Sequence, residues 1–260
     1  MTSSPSHPTA PSRTALSRRG FIRGTGALSG SSLLSHAAQA RADLKTQQAR
    51  KAENDPARYV PRFFTAEEYR FLCHACERIF PEDENGPGAL ALAVPRFIDK
   101  QMQTPYGQGD LWYLHPPFGN GPPELGYQLP YGPQELYRRT IEPINTHCLM
   151  TYNALFADLT TTQQDEVLHK LEDGVLQFND IPGAVFFEQL RTNTLEGAFA
   201  DPLYGGNDAM GGWKMMGFPG ARADFMDWVN QQGAPYPLGP VGMPPNVAPY
   251  GPDALHDEED

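Results

Sequence analysis

The chain has 260 residues, with 20 Lys and Arg against 31 Asp and Glu, for a formal net charge of −11. That acidity argues against a nucleic-acid binder and against direct attachment to an anionic membrane surface, since both need a basic face. The 26 prolines and 25 glycines crowd into connecting stretches, which predicts a small helical core wrapped by long irregular segments.

Residues 1–40 have the three parts of an export signal. Arg13, Arg18, Arg19 and Arg23 stand in a region without an acid, and Ser17-Arg18-Arg19-Gly20-Phe21-Ile22 has the twin-arginine pattern, with Arg18, Arg19, Phe21 and Ile22 as its key positions. Gly24 to Leu34 is too short and too diluted by Gly and Ser to span a membrane. Ala38-Gln39-Ala40 then offers a small-x-small cleavage site. The expectation is a periplasmic protein exported already folded. Its mature form is more acidic still, because the segment removes four arginines and no acid.

Residues 41–62 are polar and predict an extended arm. The domain proper is expected over 63–232, and a proline-rich acidic tail over 233–260. Thr65-Ala66-Glu67-Glu68 is a capping box. It opens a helix whose face is Phe71, Leu72, Ala75, Cys76, Ile79 and Phe80, ended by Pro81. A second helix starts near Ala89 or Pro95 and runs to Met102. A loop from Thr104 to Gly132 carries Trp112, Tyr113 and Phe118, and a loop that long tends to have a task. Its rings suit a partner surface or the protein's own core equally.

Pro133 opens the longest helix, to about Ala157, with Leu136, Tyr137, Ile141, Ile144, Cys148, Tyr152, Leu155 and Phe156 inward and a kink expected at Pro143. A fourth helix is capped at Thr161 or Thr162 and carries Val167, Leu168 and Leu171. A fifth begins near Pro182 and carries Phe186, Phe187, Leu190, Thr194 and Leu195. Strand alternation is scarce, so the class is mostly α: a small irregular helical domain with long Pro/Gly-rich loops and extended terminal arms.

Cys73-His74-Ala75-Cys76 lacks the histidine that covalent haem attachment needs, since Glu77 follows Cys76. A zinc site would need two more ligands at workable spacing. An oxidising compartment favours at least one disulfide among Cys73, Cys76 and Cys148, with connectivity open and three buried thiols as the alternative. Glu166-Val167-Leu168-His169 is a single Glu-x-x-His, where a di-iron bundle needs two. The glycines at 205, 206, 211 and 212 match neither a phosphate loop nor a dinucleotide fingerprint. No serine sits in a Gly-x-Ser-x-Gly elbow.

Several stretches carry a resemblance: Phe64-Thr65-Ala66-Glu67-Glu68, Ile79-Phe80-Pro81 with Gly86-Pro87-Gly88, Phe97-Ile98-Asp99 and Thr194-Leu195-Glu196-Gly197. With them stand Tyr204-Gly205-Gly206-Asn207, Gly212-Trp213-Lys214 and Gly217-Phe218-Pro219-Gly220. Over roughly residues 60–230 the chain resembles the gluconate 2-dehydrogenase subunit 3 family. The resemblance implies the cofactor-free small subunit of a periplasmic, membrane-bound dehydrogenase. Its partners would be a glucose-methanol-choline-type flavoprotein holding FAD and a multihaem cytochrome c that anchors the assembly at the inner membrane. It also implies that this chain's signal serves the flavoprotein, which lacks one. Tight binding before export then requires buried aromatic anchors, for which Trp112, Tyr113, Phe118, Tyr204, Trp213 and Phe218 are the candidates. The runner-up is an independent periplasmic redox or metal-binding enzyme using Cys73 and Cys76 or Glu166 and His169.

Overall fold

The computed structural model describes residues 59–243 apart from Asn120, Asn179, Asp224 and Pro235. Arg18, Arg19, Phe21, Ile22, Ala38, Ala40, most of the expected arm and the end of the tail lie outside the described residues.

Seven α-helices carry the described region: α1 (Ala66–Ile79), α2 (Val94–Gln101), α3 (Pro105–Gln108), α4 (Pro133–Tyr152), α5 (Thr161–Glu172), α6 (Gly183–Phe199) and α7 (Gly211–Met216). The only sheet among these residues pairs β1 (Gln177–Phe178) with β2 (Ile181–Pro182), antiparallel. The class is therefore mostly α.

Helix α1 starts as its sequence dictates. Thr65 accepts from the Glu68 amide while the Glu68 carboxylate accepts from the Thr65 amide, so two orphan donors of the first turn are satisfied. The helix buries Tyr69, Phe71, Leu72, Cys73, Ala75 and Cys76. Helix α2 begins at Val94, not Ala89, because Ala93 turns the chain with φ of 57° and Pro95 occupies the first turn.

Helix α4 is continuous through Pro143 and buries Leu136, Tyr137, Ile141, Ile144 and Cys148. It stops at Tyr152, short of the predicted Ala157, because Asn153 adopts the left-handed conformation at φ 56°. Leu155 and Phe156 then belong to a separate turn. Helix α5 is capped by Thr160, one residue before the predicted position, through a box with Gln163.

Helix α6 lies at the centre, against α2, α4, α5 and α1. Phe71 of α1 packs on Phe156 with ring centroids 4.7 Å apart and on Phe186 of α6 at 6.3 Å. Phe186 meets Tyr137 of α4 edge-on at 5.6 Å. Burial of such rings, each worth about 1.5–3 kcal/mol by transfer, is what assembles helices that are individually marginal.

One long-range polar contact fixes the start of the domain. Asp99 of α2 is fully buried. Its Oδ2 accepts from Tyr59 Oη at 2.9 Å and from the Arg62 amide at 2.9 Å. Its Oδ1 accepts from the amides of Phe63 and Phe64, each at 3.0 Å. The segment immediately before α1 is thereby clipped to α2, and Arg138 of α4 covers the Phe63 ring at 4.4 Å.

Candidate partner interface

The glycine-rich block after α6 is a packing device. Asn207 is buried, with φ of 45°. Its Nδ2 donates to the Ala200 carbonyl at 2.8 Å, and its Oδ1 accepts from the Gly212 amide at 2.9 Å. A Cβ on Gly212 would overlap the Ala198 carbonyl, and one on Gly206 the Gly197 carbonyl. Both glycines exist to let the block lie backbone-to-backbone on the end of α6. This close approach seats Trp213 in the core at 6% exposure, with its indole N–H donating to the Phe199 carbonyl at 2.7 Å. Trp213 therefore leaves the set of interface rings. Tyr204 is half-buried against the core, whereas Phe218 is exposed and rests edge-on against Trp213 at 5.2 Å.

Beyond the block the chain returns to it. Ala221 donates to the Val241 carbonyl at 2.7 Å, and Met243 donates to Asp201 Oδ2 at 2.7 Å. Phe225, Met226, Val229 and Leu238 stand exposed along this return, and Met216 at the end of α7.

The loop between α3 and α4 presents the other rings. Its ends abut, since a Cβ on Gly132 would lie 2.8 Å from the Gln108 carbonyl oxygen. Trp112 is half-buried between Tyr106, at 6.1 Å, and Tyr127, at 4.8 Å. Tyr106 in turn is bound to α6: its hydroxyl accepts from Gln189 at 2.8 Å and from Asn193 at 2.7 Å. Asn193 also accepts from the Tyr137 hydroxyl at 3.0 Å. Trp112 is thus a foundation of the loop. Tyr113 and Phe118 point outward at 88% and 43% exposure, joined by Leu111 at 60% and Leu125 at 70%. Leu111 and Leu125 were not among the sequence candidates. Burial alternates from Leu111 to His115, with Trp112 and Leu114 turned inward, but the unbroken apolar run at 111–114 carries no sequence signal of which residues face out.

The chemistry-bearing groups are engaged elsewhere. Cys73, Cys76 and Cys148 are free buried thiols in the structure, the alternative left open beside a disulfide. Cys73 and Cys76 sit inside one helix, where burial pushes both thiols up, Cys76 to about 12. Cys148 is held on α4 and pushed up to about 11 by burial. Thr194 Oγ1 lies 3.4 Å from Cys76 Sγ while donating to the Leu190 carbonyl. Such thiols are poor nucleophiles and poor ligands, and two core-facing sulfurs followed by Glu77 do not fit covalent haem. On α5, Glu166 accepts from Lys170 at 2.6 Å and His169 Nδ1 lies 3.3 Å from Glu172, all on the outer face. Among the described residues, no group of three or more His, Cys, Asp or Glu is placed to hold a metal ion.

Comparison with known proteins matches residues 66–220 to the family described as gluconate 2-dehydrogenase subunit 3. No curated protein and no solved structure matches the chain. The match runs from the first residue of α1 through the Asn207–Trp213 block and covers more than half of the 260 residues, so that this chain belongs to the gluconate 2-dehydrogenase subunit 3 family.

Proposed function

We propose that this chain is the non-catalytic small subunit of a periplasmic flavin-dependent sugar or polyol dehydrogenase, and that it stabilises the flavoprotein subunit and carries it through the twin-arginine route. Family membership as a third subunit carries the reading, because such a chain works beside other subunits. The rest is consistent with it. The helical core is closed on its own aromatic residues, while a loop held by ring contacts and hydrogen bonds turns large apolar side chains outward. Arg18 and Arg19 precede the small-x-small stretch Ala38-Gln39-Ala40.

In this proposal FAD belongs to a glucose-methanol-choline-type partner and haem c to a multihaem cytochrome. Flavin is loaded in the cytoplasm, so its carrier must cross the membrane folded, and one signal serves two chains that bind tightly beforehand. No helix among the described residues is long and apolar enough to cross a membrane. Attachment to the inner membrane is assigned to the cytochrome.

The experiment is to produce the flavoprotein subunit in the cytoplasm with and without this chain. Soluble yield and flavin per protein are then measured. The proposal expects both to fall several-fold when the chain is absent. Equal yield and flavin content in its absence contradict the stabilising role.

A further inference from the structure

Apart from Asn120, the loop between Gly109 and Gly132 is tied to itself and to its base by rings and hydrogen bonds. Trp112 is held between Tyr106 and Tyr127, and the Tyr127 hydroxyl donates to the Tyr131 carbonyl at 2.6 Å. Gln128 donates to the Pro122 carbonyl at 3.0 Å and accepts from the Gly121 amide. Tyr106 fastens the base to α6 through Gln189 and Asn193. A loop with these internal ties loses little conformational entropy on binding, which favours affinity. Its outer positions are nevertheless Leu111, Tyr113, Phe118 and Leu125, all exposed.

The charge around them selects the occupant. Residues 101–137 contain no Lys or Arg, while Asp110 and Glu124 are acidic and exposed; the cation against the loop is Arg139 of α4, over the Tyr131 ring at 4.4 Å. A second copy of this chain, docked by the same patch, would set one acidic patch against another, with no Lys or Arg of the loop to pair with Asp110 or Glu124. An anionic lipid surface repels them. The fitting surface is an apolar hollow on another protein, rimmed by Lys or Arg, because apolar anchors supply affinity and opposite rim charges steer the encounter.

We propose that the Gly109–Gly132 loop is the docking surface of this chain for the flavoprotein subunit, with Tyr113 and Leu125 as its anchors and Asp110 and Glu124 facing basic residues of that partner. This rests on the subunit reading above.

The test uses the complex obtained by co-expressing the full chain with the flavoprotein, diluted and counted by mass photometry. Tyr113→Ser and Leu125→Ser remove exposed side chains, so thermal melting of the chain alone stays unchanged and folding is controlled. Each is expected to raise the half-dissociation concentration at least about thirtyfold, the scale of a hot-spot residue. Glu124→Lys is expected to raise it as well, with an effect that shrinks as salt is added. Wild-type dissociation in all three variants overturns the assignment of the surface. A homodimer of the chain that the serine variants abolish overturns it in favour of a second copy. Binding to phosphatidylglycerol vesicles that they abolish overturns it in favour of a membrane. A wild-type chain that forms no complex at all overturns the subunit reading, and this proposal with it.

Discussion

Replacing Asp99 by asparagine keeps the shape of the side chain while removing its charge and exchanging one acceptor oxygen for a donor NH₂. Besides a long contact from Gln103 Nε2 to Oδ2 at 3.4 Å, the Asp99 carboxylate takes four donors, two on each oxygen, from Tyr59, Arg62, Phe63 and Phe64. Asparagine offers one oxygen and turns an NH₂ toward the other pair. Two bonds to a charged acceptor are lost, each worth about 1.5–3 kcal/mol, so the expected destabilisation is about 3–6 kcal/mol. A domain of this kind has only about 5–15 kcal/mol in total. The damage is local first, since Phe64 is buried and Thr65 caps α1. Urea unfolding followed by tryptophan fluorescence gives the free energy, and amide exchange at Arg62, Phe63 and Phe64 gives the location. A loss below about 1 kcal/mol, set against the bonds counted above, or unchanged protection of those three amides, refutes the reasoning.

Two further perturbations address the glycine block and the thiols. Gly212→Ala drives a methyl into the Ala198 carbonyl and unseats Trp213. It is expected to cost about 3–5 kcal/mol, like removal of a buried aromatic, and to red-shift tryptophan emission; an unchanged melting temperature contradicts the packing role. For the thiols, a disulfide reagent at neutral pH is expected to find no fast-reacting group in the native chain and three after unfolding without reductant. Fewer than three contradicts the free-thiol state. Burial pushes Cys76 up to about 12 and Cys148 up to about 11. Above pH ~8.5 the unfolded chain releases thiol protons that the native chain keeps, so stability is expected to fall as pH rises from there toward 11. A flat urea midpoint across that window contradicts this linkage.

What the sequence made legible was local. The Thr65 box, the apolar face of α1, and prolines 95 and 133 at helix starts are readable because each acts through residues within one or two turns. Register among Thr160, Thr161 and Thr162 was not, because a distant contact decides it. Gln164 is buried and donates to the Phe156 carbonyl at 3.1 Å, leaving Gln163 free to complete the box with Thr160. The end of α4 was missed because Asn153 takes a left-handed conformation that no periodicity announces. Trp213 could not be assigned because its burial follows from Gly206 and Gly212 touching α6 carbonyls, a contact between segments. The disulfide expectation rested on compartment alone, whereas cysteine positions are decided by which helix face is buried. At the loop, exposed aromatics were legible as types, but only the structure separates Tyr113, which faces out, from Trp112, which holds the loop up.

The central claim is that one signal serves two chains. Its most direct measurement is the location of the flavoprotein subunit when Arg18 and Arg19 are both replaced by lysine. The account predicts that this subunit stays in the cytoplasm together with the altered chain, while a periplasmic reporter with its own signal is exported normally. Flavoprotein reaching the periplasm at its usual level, with this chain retained inside, would contradict the account.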